Sequence, residues 1–123
     1  VTEVVLRNHT PHDVTILLPG RDPITLAPEA STARCVITRT DGTLLHSRGA
    51  VIPTTLTHRH PQVTGLPPAE PGVVLVVSLP VVEACPERTD LVFPDELVRD
   101  PDNRVIGCRS LGRLREPAHR TIQ

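Results

Sequence analysis

The sequence predicts an α+β domain that is mainly antiparallel β: a curved sheet or partly closed small barrel with one short helix. Three observations predict it. The chain carries 14 prolines, about twice the usual share, which rules out long helices because each fixes φ and removes a donor. The apolar residues are almost all Val, Leu and Ile, with Phe93 the only aromatic, and β-branched side chains favour strands. One five-residue apolar run, 73–77, ends at Ser78-Leu79-Pro80, where a strand gives way to a helix start.

The elements follow in order. Residues 2–7 read as a first strand, and the cluster Asn8-His9-Thr10-Pro11-His12-Asp13 as a turn. Val14, Ile16 and Leu18 alternate as in a half-buried strand; Pro19-Gly20-Arg21-Asp22 turns the chain and Ile24-Thr25-Leu26 returns it, a hairpin. Residues 33–39 form a strand around Val36 and Ile37. Asp41-Gly42 marks a tight hairpin with its return at Leu44 and Leu45. Residues 51–58 form another strand, broken or set at an edge by Pro53. The segment 61–72 holds four prolines and two glycines and reads as a rigid connector between a hairpin-rich half (1–60) and a strand–helix–hairpin half (73–111) of a single domain. The run 73–77 is apolar on both faces, as expected of a central, doubly covered strand. The helix runs from near Pro80 to about Cys85, where Pro86 stops it. Residues 91–93 form a short strand, 96–99 and 104–108 a last hairpin around Pro101-Asp102-Asn103, and 112–123 a polar tail.

Composition narrows the function. Net charge is −1, which argues against a binder of nucleic-acid polymers. All 13 cations are Arg, whose planar fork suits phosphate and carboxylate; codon usage in a GC-rich genome explains the same bias. No stretch approaches the roughly 18 apolar residues of a membrane helix. Cys35, Cys85 and Cys108, with no paired spacing, read as reduced thiols in a cytoplasmic protein. Asn8-His9-Thr10 matches a glycosylation sequon, which such a compartment would leave unused.

Four constellations carry candidate chemistry. Ser78, at a strand-to-helix corner, either caps the helix or, with the leading amides, holds an anion. Arg88, Asp90, Arg99 and Asp100 either pair internally or form a rim, with Arg on phosphate and Asp on ribose or base donors. His9, His12, His58 and His60 have spacings unlike known metal motifs, so turn bonding and exposure are expected and no metal or cofactor is assigned. The cysteines read as small buried apolar residues, and Ser78 lacks the Gly-x-Ser-x-Gly elbow, so no catalytic residue is assigned. A small hydrolase or metalloenzyme stays as an outlying alternative.

Asn8, Thr10-Pro11-His12, Val77-Ser78, Arg88, Asp90-Leu91, Pro94, Val98-Arg99-Asp100 and Ile106-Gly107-Cys108-Arg109 together resemble a pattern found in small uncharacterised proteins of phages, prophages and GC-rich bacteria. His9 stands where that pattern has Leu. By analogy the resemblance implies a role in phage–host conflict, where small proteins sequester nucleotide immune signals in the host cytoplasm. The resulting expectation is a non-catalytic binding protein for a small phosphate-bearing, nucleotide-like ligand, contacted by His12, Ser78, Arg88, Asp90, Arg99 and Asp100, in a homo-oligomer that deepens the pocket. The alternative is a protein-interaction module, either a phage structural accessory or an inhibitor of a host protein, whose Val-rich edges suit strand addition.

Overall fold

A computed structural model describes residues 2–117, apart from the side chains at 59–61. Ten strands and one helix follow in the order β1 (Val5–Asn8), β2 (Val14–Ile16), β3 (Ile24–Leu26), β4 (Arg34–Asp41), β5 (Leu45–Ser47), β6 (Ala50–Ile52), β7 (Thr55–Thr64), β8 (Val73–Val76), α1 (Leu79–Ala84), β9 (Leu91–Arg99) and β10 (Val105–Gly112). Six strands form one nearly closed, barrel-like sheet in the order β1-β8-β9-β10-β2-β3. Its two edges almost meet: Asn8 forms a parallel bridge with Pro28, just past β3, and the Glu29 N–H donates to the Asn8 carbonyl at 2.7 Å.

The central strand is the one the apolar run predicts. β8 lies between β1 and β9, parallel to both, and every residue from Val74 to Val77 is buried. Side chains alternate along a strand, and here they feed two cores. Leu75 and Val77 pack with Val81, Val82 and Cys85 beside α1, whereas Val74 and Val76 pack with Val14, Ile16, Val92 and Cys108 inside the barrel. The helix is short because Pro80 occupies its first turn and Pro86 follows its end; the Cys85 N–H closes it on the Val82 carbonyl at 3.2 Å.

Antiparallel pairs dominate, as expected; the pairings of β8 with β1 and β9, and of β10 with β2, are parallel, the β8–β9 pair because α1 carries the chain across and returns it in the same direction. Three expectations are corrected. Asp41-Gly42 is not the tight hairpin. Arg48 and Gly49 both adopt positive φ (51° and 75°) and turn β5 into β6, while the Gly42 N–H pairs with the Thr54 carbonyl at the end of the long β4–β7 ladder. The connector begins later than 61, because β7 runs through to Thr64. Pro61 falls where the register slips by two residues, a bulge that tolerates a missing donor. The strand 91–93 and the last hairpin are likewise continuous: β9 carries on through Pro94 just where it outruns β8.

One glycine is fixed by close approach. A Cβ on Gly107 would lie 3.0 Å from the Leu17 side chain and from the Thr15 carbonyl oxygen, so β10 and β2 come together only over a bare Cα.

Candidate functional site

The turn after β1 is locked by Asn8, which is 1% exposed. Its amide donates to the His12 carbonyl (2.7 Å) and the Leu26 carbonyl (2.9 Å); its oxygen accepts from the Thr10 N–H (2.9 Å) and lies 2.6 Å from Thr10 Oγ1. Every polar site on the amide is used, so the sequon is structural and its nitrogen closed to a glycan in the folded chain. His9 fills the neighbouring buried position: Nδ1 lies 2.8 Å from the Ser31 carbonyl, which can only accept, so the proton sits there. Nε2 is buried without a hydrogen-bond partner among the described residues.

This turn places His12 at a cleft of about 440 Å³. Thr10, His12 and Asp13 from the turn and Ser78 from the β8–α1 corner supply the polar groups. Pro94, Leu97, Val105 and Ile106 from the β9–β10 hairpin make an apolar wall, and Gly107 and Cys108 its floor. Ile106 is the extra residue of a bulge in β10, and with Val105 and Leu97 it is half exposed. A second recess of about 280 Å³ adjoins the cleft. Thr10 and Ser78 line both, and the recess adds Pro11, Thr32, Pro80 and the root of β4 with Arg34.

The corner itself differs from the expectation. The Ser78 side chain makes no capping bond, Pro80 has no N–H, and the Val81 and Val82 amides both donate to the Ser78 carbonyl (3.0 and 3.2 Å). The helix therefore does not present a row of unpaired amides; what Ser78 offers the cleft is its hydroxyl.

The six predicted residues fall into three places. His12 and Ser78 meet at the cleft. Arg88 and Asp90 lie toward the other end of the sheet, since Asp90 precedes Leu91, the partner of Leu75, roughly 10–13 Å of strand from Ser78. There Arg88 Nε and Nη2 donate to the two Asp90 oxygens, each at 2.7 Å, and Nη2 reaches the Pro67 carbonyl at 3.1 Å. The hydrogen bonds from Arg88 hold the Asp90 carboxyl below its usual pKa, and the bond to Asp90 raises that of Arg88. Asp90 also lines a separate cavity of about 600 Å³ with Glu70, Arg113 and Glu116. Arg99 and Asp100 build the β9–β10 turn: Arg99 Nη1 donates to the Asn103 carbonyl, and Asp100 Oδ1 accepts from the Asp102 and Arg104 amides, all at 2.9 Å. Arg88 and Asp90 thus pair with each other, whereas Arg99 and Asp100 bond backbone groups of their own turn.

Arg34 is the guanidinium that sequence reasoning passed over. It starts a strand with no apolar alternation to mark it, and only the packing of that strand's root against the helix brings it beside Ser78. Burial raises the Cys108 and Cys85 thiol pKa values, so both stay protonated near neutral pH. Among the described residues no three His, Cys, Asp or Glu side chains gather as metal ligands; the side chain of His60 lies outside the described residues. No helix among the described residues is long and apolar enough to cross a membrane. Searches of family models, curated proteins and solved structures return no match to this chain.

Proposed function

We propose that the chain is a non-catalytic binding protein that holds a small phosphate-bearing, nucleotide-like ligand across the cleft and its adjoining recess. The base lies against Pro94, Leu97 and Ile106, with Asp13 accepting from its amine edge, and the anionic end sits toward Ser78, His12 and Arg34. The observation that carries this reading is that Thr10 and Ser78 line both compartments, one walled by apolar side chains and the other holding an arginine. The cleft volume falls in the usual range of small-molecule sites, about 300–1,000 Å³. Together with the resemblance to phage proteins, this supports sequestration of a nucleotide signal in the cytoplasm of the host cell.

Calorimetry against nucleoside monophosphates, cyclic dinucleotides and the matching unphosphorylated nucleosides tests the reading. At least one phosphorylated compound binds, and Arg34→Ala weakens it about 10-fold or more, the worth of one charge-assisted hydrogen bond. No heat from any phosphorylated compound, or equal binding by Arg34→Ala, overturns it. A second reading, a protein-interaction module, is favoured by a different feature, the β4–β7 ribbon with its exposed apolar tip.

A further inference from the structure

From Val36 to His58 every residue is exposed except Gly42 and Thr54, which are half buried. Only the root of this ribbon, at Cys35 and Val63, packs against the core. Its outer part is a two-stranded ladder ending in the β5–β6 hairpin, where Leu44 (68% exposed), Leu45, Val51 and Ile52 face solvent. An isolated two-stranded ribbon is marginal in water, and clustered exposed aliphatics mark a contact surface. The same chain carries a second uncovered apolar surface, the cleft wall of Leu97, Val105 and Ile106.

Charge selects which surface meets which. Along the projecting part of the ribbon, 36–58, Arg39 and Arg48 outnumber the single acid, Asp41. Around the cleft wall and its turn, Asp13, Asp95, Glu96, Asp100 and Asp102 outnumber Arg99 and Arg104. The ribbon also starts at Arg34–Ile37, which lines the recess beside the cleft, so it leaves the barrel from the cleft's own side.

We propose that the β4–β7 ribbon is a dimerisation arm, apolar at its tip and net positive along its length, that seats on the acidic-rimmed apolar cleft wall of a second copy. A two-fold axis between facing copies brings each arm to the other's cleft. Such a contact is self-complementary and closed, and it counts the arm–cleft surface twice. It also sets the partner's arm on Leu97 and Ile106, so the arm and a base lying against that wall exclude each other there. The dimer contact forms without a ligand, and its test needs none.

The test is the mass of the untagged protein by light scattering without nucleotide, at up to about 100 μM. The wild type runs at twice the 13.4 kDa of one chain. The arm variant Leu45→Glu/Val51→Glu and the cleft variant Leu97→Glu/Ile106→Glu each raise the dissociation constant about 100-fold or more, by setting carboxylates on an apolar contact. Mixing the two variants recovers dimer, because each mixed pair keeps one intact arm against one intact cleft. A trap independent of disruptive changes uses Leu45→Cys mixed with Leu97→Cys, both in a Cys35→Ser background. With oxidised glutathione this pair gives an intermolecular disulfide between unlike chains. A monomeric wild type, an arm variant that stays dimeric, or a mixture that stays monomeric while the disulfide fails to form each overturns the proposal.

Discussion

Asp90→Asn separates a framework role from a ligand role at the Arg88–Asp90 pair. Both Arg88 nitrogens that face Asp90 sit 2.7 Å from its oxygens, and both side chains are less than one-fifth exposed. The amide keeps the shape but loses the charge, and its NH₂ faces one guanidinium nitrogen as donor against donor. Hydrogen bonds to charged groups are worth about 1.5–3 kcal/mol each, and one of two is lost outright, so we expect a loss of about 2 kcal/mol. At about 4 °C per kcal/mol for a chain of this size, the midpoint falls by about 8 °C. The pH dependence gives the sharper check. The folded Asp90 carboxyl lies below its unfolded value of about 3.9. Its contribution is therefore full above that value and is lost as pH falls through the lower, folded value. Urea melts of wild type and variant should differ at pH 7 and converge in strong acid. A difference that persists unchanged at pH 2, or a variant as stable as wild type at pH 7, refutes the framework role. Unchanged stability with lost nucleotide binding returns the pair to the ligand.

Two further outcomes follow from packing. Gly107→Ala costs about 1 kcal/mol, because the new methyl group must displace Leu17 or the β2 backbone while gaining a little from a stiffer unfolded chain; equal urea midpoints would exclude the close approach. Iodoacetamide at pH 8 should label Cys35 first and leave Cys85 and Cys108 nearly untouched until denaturant is added, since burial keeps both thiols protonated; peptide mass spectrometry reads the order, and equal rates for all three sink the assignment.

The legible parts of the fold were those set by local chemistry. The run 73–77, its stop at Ser78 and the helix between Pro80 and Pro86 are written as side-chain size and missing amides, and each occurs where expected. The β2–β3 hairpin is likewise encoded by alternation around a Pro-Gly turn. The parallel pairing of Val5–Asn8 with Val73–Val76 joins segments nearly seventy residues apart, and no local pattern states it. The tight turn was misplaced because Arg48 takes a left-handed conformation that Asp41 was the better candidate to adopt. At the site, Asn8, His12 and Ser78 sit on turns the sequence marks. Arg88 and Asp90 carry the same two-residue spacing whether they pair with each other or with a guest, and only coordinates distinguish the two. Arg34 gives no signal until β4 is packed.

Because β8 is a party wall, with odd positions serving one compartment and even positions the other, the two halves share a single structural support. Hydrogen exchange should find the amides of 74–77 among the slowest, opening only when the whole chain does. The proline-rich passage before this strand looks like a place to divide the chain, yet a cut there leaves Val14, Ile16 and Ala33 without the side chains they pack on. Any lineage that trims or swaps segments of this architecture must carry those four consecutive side chains along.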